Sequence, residues 1–156
     1  MKNKIYITIA SVILILMQMT FCNWIKVYGI KPNLVLVFII ILGFYGKKSE
    51  LFFCGVFCGL LQDILLSKSI GVYLFINLLF CMIIENIRRH EFSFLKVFVF
   101  SLVYDGLVFM FCSFPSTLKE LLFVFYRLIF CGALYNTICF AIVFAIMNRK
   151  RKIGNL

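Results

Sequence analysis

Acidic residues are scarce in this chain. Six Asp and Glu stand against sixteen Lys and Arg, and all charged residues together make up 14% of 156, where soluble domains carry about one quarter. So thin a polar covering cannot keep a chain that is 64% hydrophobic in water, and a soluble core of this size has no room to hide that much apolar surface. Histidine occurs once, as His90 in a basic stretch, which excludes multi-histidine metal centres and reads as a solvated side chain. Two Pro and no run rich in Pro, Gly and Ser leave no linker, and the length leaves room for one domain, residues 1–156. No Walker motif, GxGxxG or H-E-x-x-H is present, and no Ser or Cys nucleophile at membrane depth has a histidine near it. The sequence points away from an enzyme, and it implies no cofactor.

What fills the chain instead is apolar runs, with 20 Phe among them. A membrane-crossing helix needs about 20 mostly apolar residues. Six segments approach that description, at about 5–24, 32–46, 50–66, 71–87, 94–114 and 121–147. The expected fold is an all-α integral membrane protein, a compact bundle of about six transmembrane helices. The first segment is long for a signal peptide and no A-x-A site follows it, so it reads as a retained helix with Trp24 and Tyr28 at the interface. The second is short, and it either spans thinned lipid or is partly re-entrant. The sixth is longer than one span needs, so its start is interfacial or tilted.

The net charge of +10 sits in clusters between the apolar runs, which suits membrane-flanking loops and not a nucleic-acid surface. Six spans with both termini in the cytoplasm put Lys2, Lys4, Lys47, Lys48, Arg88, Arg89, Lys96 and residues 149–152 inside. That is eleven cations, against five outside: Lys26, Lys31, Lys68, Lys119 and Arg127. The bias follows the positive-inside rule. If the second segment does not span, the N-terminus moves outside and the tally is unchanged, so charge orders the later loops only. Lys2 and Lys4 favour a cytoplasmic start.

Several polar residues lie inside the apolar segments. Gly55 and Gly59 form GxxxG, a spacing that lets helix backbones approach closely and admits a methyl but not a branched side chain. Asp63 follows one turn on, on the same face. An acid there needs a partner or water, and the plainer reading is an interfacial Asp near a helix end. Asp105 lies near the middle of segment five and should face the bundle interior. Arg127 is placed to serve Asp105 or Asp63, and its other reading is snorkelling to the outer interface. Gln62 and Asn136 are suited to interhelical hydrogen bonds. The seven Cys sit almost wholly within apolar runs; Cys54 and Cys58, spaced i,i+4, read as packing residues and not as metal ligands.

The stretch from Leu51 to Asp63, followed by Ile70-Gly71-Val72-Tyr73-Leu74, resembles the G-x-x-x-G-x-x-x-D…G-x-x-x-L core of the rod shape-determining MreD family. Leu74 falls one residue early for the last spacing. Pro32-Asn33-Leu34 resembles that family's Pro-Asp/Asn-Leu element, and the short, loop-poor chain fits its size. In motif terms the likeness covers about residues 31–90. It implies a structural or docking role for Pro32, Asn33, Gly55, Gly59, Asp63 and Gly71. It also implies partners: an MreC-like bitopic protein, an MreB-like actin homologue, and a wall polymerase and transpeptidase at the bacterial inner membrane. A second reading is the substrate-binding subunit of an energy-coupling-factor vitamin transporter, whose six-helix fold the family is thought to share. Asp63, Asp105, Arg127 and Asn136 would then line a polar pocket near the outer face.

Overall fold

The computed structural model describes residues 2–24, 31–66, 71–87, 93–112 and 129–153. Six α-helices account for nearly all of them: α1 (Lys2–Trp24), α2 (Leu34–Tyr45), α3 (Lys48–Leu66), α4 (Val72–Ile87), α5 (Phe94–Cys112) and α6 (Cys131–Ile153). The loops expected at 25–30, 67–70, 88–92 and 113–116, the start of segment six and Arg127 lie outside the described residues.

Local chemistry explains why helices form here. In α1 the hydroxyls of Thr8, Ser11 and Thr20 each donate to the carbonyl four residues back, at 2.9, 2.7 and 2.7 Å, so these three hydroxyls of an apolar helix are satisfied by the helix itself. Asn33 caps α2, its Oδ1 accepting the Leu36 N–H at 3.1 Å. Pro32 therefore precedes the cap and is not in the first turn. At the other extreme, α6 runs beyond the expected end near 147. Lys and Arg are good helix formers, and cations suit a helix C-terminus, so the basic run continues the helix to Ile153.

Side-chain contacts fix the alternation of the helices. At one end of the bundle the Lys4 ammonium lies over the Phe53 ring, Lys48 reaches Glu85 at 3.9 Å, and Phe94 and Tyr45 both meet Phe144. The starts of α1, α3 and α5 thus gather with the ends of α2 and α4 and the later part of α6. The opposite end gathers the starts of α2, α4 and α6.

α2 is apolar on every side, and a helix of that kind has to be buried. It is: Val35, Leu36, Val37, Ile39, Ile40 and Ile41 are all in the core, and the helix touches α1, α3, α4 and α6. Gly43 lets it close on Ile84 of α4. The short second segment is the axis of the bundle, with α1, α3, α4 and α6 around it. Elsewhere the core is aromatic, with Phe80 packed edge-on against Tyr104 at a centroid distance of 5.1 Å.

The outward faces are apolar too. Ile5, Ile9, Ile13 and Leu16 on α1 and Leu134, Ile138, Ile142 and Ile146 on α6 are all exposed. Apolar faces of that extent belong against a membrane or another protein. Among the described residues, one helix qualifies by length and composition as a membrane span, Phe94–Phe111 within α5; the apolar parts of α1, α2, α4 and α6 run shorter.

Candidate functional site

The polar side chains collect at the end of the bundle where α2, α4 and α6 begin. Asp63, near the end of α3, is almost fully buried among the helices. Its two oxygens accept the backbone N–H groups of Tyr73 and Leu74, at 2.9 and 3.1 Å. The first turn of any helix has N–H groups without internal partners, and a carboxylate there also meets the positive end of the helix dipole. Asp63 is the cap of α4 supplied from another helix.

This cap needs α3 and α4 to be very close, and the glycines of α3 provide that. A Cβ built on Gly59 would lie 2.5 Å from Leu74 Cα and 3.2 Å from the Tyr73 carbonyl oxygen, both backbone atoms. One turn away, a Cβ on Gly55 would lie 2.5 Å from Cys81 Sγ. The expectation that the face admits a methyl therefore fails at Gly59, because backbone and not a movable side chain stands opposite. Gly71 opens α4 with φ +99°, a left-handed conformation that favours glycine.

Next to the cap, Gln62 Oε1 accepts from Asn77 Nδ2 at 2.9 Å, and the Tyr104 hydroxyl donates to Asn77 Oδ1 at 2.8 Å. On the far side of α2, Asn136 Oδ1 accepts the Asn33 N–H at 2.6 Å, and Asn136 Nδ2 donates to Asp105 Oδ2 at 3.2 Å. Gln62, Asn77 and Tyr104 thus link α3, α4 and α5, and Asn33, Asn136 and Asp105 link the start of α2, α6 and α5. Among the described residues, Gln62 Nε2 and Ser101 Oγ here, and Gln18 Oε1 in α1, are buried without a partner.

Of the residues singled out from the sequence, Asn33, Asp63, Asp105 and Asn136 come together at this end, with Pro32 buried beside Asn33 and Gly59 and Gly71 shaping the α3–α4 contact. Gly55 lies deeper in the bundle. Asn77 and Tyr104 were not anticipated. Each had a signal: Asn77 is an amide inside an apolar run, and Tyr104 precedes Asp105 in mid-segment.

Cys54 and Cys58 sit 3.6 Å apart at sulfur, with Ser11 Oγ 4.0 Å from Cys54 Sγ. Helix positions i and i+4 hold their Cβ atoms about 5–6 Å apart, too far for the roughly 3.8 Å a disulfide needs, and both thiols are free. Among the described residues, no group of three or more His, Cys, Asp or Glu is placed to hold a metal ion.

No curated protein sequence and no solved structure is similar enough to the chain to count as a match. The sequence pattern of one family, described as rod shape-determining protein MreD, matches residues 2–150, nearly the entire chain. The match extends far past the motif that first suggested it and takes in the helix that carries Asp105 and the one that carries Asn136, so the chain belongs to the MreD family.

Proposed function

We propose that the chain is a membrane scaffold of the bacterial wall-elongation machinery, one domain crossing the cytoplasmic membrane six times with both termini in the cytoplasm. Family membership carries this reading, and members of the family are non-catalytic, so the chain is not an enzyme. The cluster adds physical support. Its amides, acids and hydroxyl bond to one another and to helix ends, which fixes how the helices sit and leaves apolar faces outward for lipid and partner helices. The shorter helices cross if the bilayer thins locally around them. The partners in this reading are an MreC-like bitopic protein, an MreB-like actin homologue, a wall polymerase and a transpeptidase.

The vitamin-transporter reading needs free polar groups around a pocket. Asp63 and Asn136 are engaged by backbone and neighbours, and a cleft of about 360 Å³ beside Gly106 is lined by apolar side chains such as Leu102, Met110 and Ile129. Depletion in the living cell separates the two. A scaffold leaves swollen or round cells with normal vitamin uptake; unchanged shape with growth dependent on one supplied nutrient would sink the scaffold reading.

A further inference from the structure

The end of the bundle opposite the polar cluster carries cations on four helices. Lys4 stands in the first turn of α1, Lys47 and Lys48 at the α2–α3 junction, Lys96 in the first turn of α5 and Arg149 near the end of α6. Lys4, Lys47, Lys48 and Arg149 are exposed. Two acids near them face inward on the structure: Glu50 accepts the Lys47 backbone N–H at 3.1 Å, and Glu85 lies 3.9 Å from the Lys48 ammonium. Lys48 remains 67% exposed despite that contact, so the pair leaves the ammonium available to a second anion.

Where these cations sit decides what they meet. Each stands within about one helical turn of exposed apolar side chains on its own chain segment: Lys4 beside Ile5 and Tyr6, Lys47 and Lys48 after Tyr45, Lys96 after Phe94 and Leu95, Arg149 after Ile146 and Met147. The Lys4 and Lys48 ammoniums are held over the Phe53 and Phe52 rings, at 5.4 and 6.0 Å from the centroids. These cations stand where exposed apolar surface stops, which in a membrane is the level of the lipid phosphates.

We propose that these cations bind anionic phospholipid headgroups and that Lys4, Lys47 and Lys48 form their α1–α3 sector. The proposal rests on the membrane-spanning reading. Lysines near such a surface strengthen anionic-lipid attachment by about fivefold each, and salt screens the effect.

The test uses the full chain purified in mild detergent and offered equal amounts of phosphatidylglycerol and phosphatidylcholine, with the co-eluting lipid quantified. Phosphatidylglycerol should be retained in preference, the preference should be largely lost in the triple variant Lys4→Gln, Lys47→Gln, Lys48→Gln, which removes three factors of about fivefold, and high salt should erase it in the unaltered chain. Equal retention of the two lipids overturns the proposal, as does a preference indifferent to both salt and the variant; an acidic protein segment then becomes the better partner for these lysines. Carbonate extraction of native membranes separates this from the parent reading. A chain that resists extraction and shows no lipid preference overturns the lipid site alone, whereas a chain washed off by carbonate overturns the membrane-spanning reading itself.

Discussion

Asp63 and Tyr73 are ten residues apart in sequence, yet a carboxylate oxygen of the first accepts the backbone N–H of the second at 2.9 Å. Because the other oxygen takes the Leu74 N–H, the side chain must supply two acceptors at once. Asn offers one carbonyl and turns an NH₂ toward the second donor; Leu offers nothing. Each stranded N–H costs about 1–3 kcal/mol. Asp63→Leu should therefore destabilise the chain more than Asp63→Asn, and both should be measurable by thermal unfolding in detergent. Equal, mild losses would mean that water reaches the α4 end.

The two glycines of α3 should behave differently. At Gly55 the obstacle is a thiol at the end of a short side chain, able to move; at Gly59 it is the Leu74 backbone. Gly55→Ala should cost under about 2 kcal/mol, while Gly59→Ala should cost more by prising α3 from α4 and straining the Asp63 cap, in line with the price of overpacking. Gly59→Leu should abolish accumulation of the protein. If Gly59→Ala folds as well as Gly55→Ala, the α3–α4 approach is looser than described.

Asn136 serves α2 and α5 simultaneously, so its loss and that of Asp105 should not add. Asn136→Ala strands the Asn33 N–H and removes the amide from Asp105, for about 1–3 kcal/mol. Once Asn136 is gone, Asp105→Asn should cost markedly less than in the unaltered chain, a coupling that a double-mutant cycle reads directly. Additive losses would separate the two side chains. Of the readings open for Arg127, pairing with Asp105 has its own signature: Arg127→Gln should then rescue Asp105→Asn, since removing one charge of a pair strands the other, whereas no rescue leaves Asp63 or the interface as its place.

How much of this was legible beforehand follows from the physics of each signal. Apolar runs broken by charge mark helices well, and α3, α4 and α5 begin close to where the runs do. Acids and amides in such runs are conspicuous, which is why Gln62, Asp63, Asp105 and Asn136 stood out, whereas Asn33 stood out only through the Pro32-Asn33-Leu34 element. Their partners did not, because interhelical bonds depend on which faces meet and a single sequence does not state that. Asp63 found backbone N–H groups of α4 instead of a cation. Tyr104 hid its role behind an aromatic ring that suits a core or an interface equally well. The central place of α2 was missed for a related reason: its even apolarity leaves no periodic face, so the pattern carries length but not position.

Tyr104 deserves a substitution of its own. Tyr104→Phe keeps the edge-on packing with Phe80 and removes only the hydroxyl that Asn77 Oδ1 accepts from. The expected loss is about 1–2 kcal/mol, and it should shrink in an Asn77→Leu background, where the acceptor is already absent. A full loss in both backgrounds would show that the hydroxyl acts through another partner.

The proposed topology makes the two ends of the bundle inequivalent, and the inequivalence is testable in cells. The end carrying Lys4, Lys47, Lys48 and Arg149 should face the cytoplasm by the positive-inside rule, and the end carrying Asp63 and Asn136 should face out. A reporter active only in the cytoplasm should therefore work when fused after residue 156 or between Gly46 and Lys48, and fail after residue 29. One active only outside should show the opposite pattern. The insertion after residue 29 is the informative one, because α2 is about 18 Å long against a hydrocarbon layer of about 30 Å. If the cytoplasmic reporter works there and fails at Met1, α2 does not cross, the N-terminus lies outside, and the helix at the bundle axis enters from the side it later leaves.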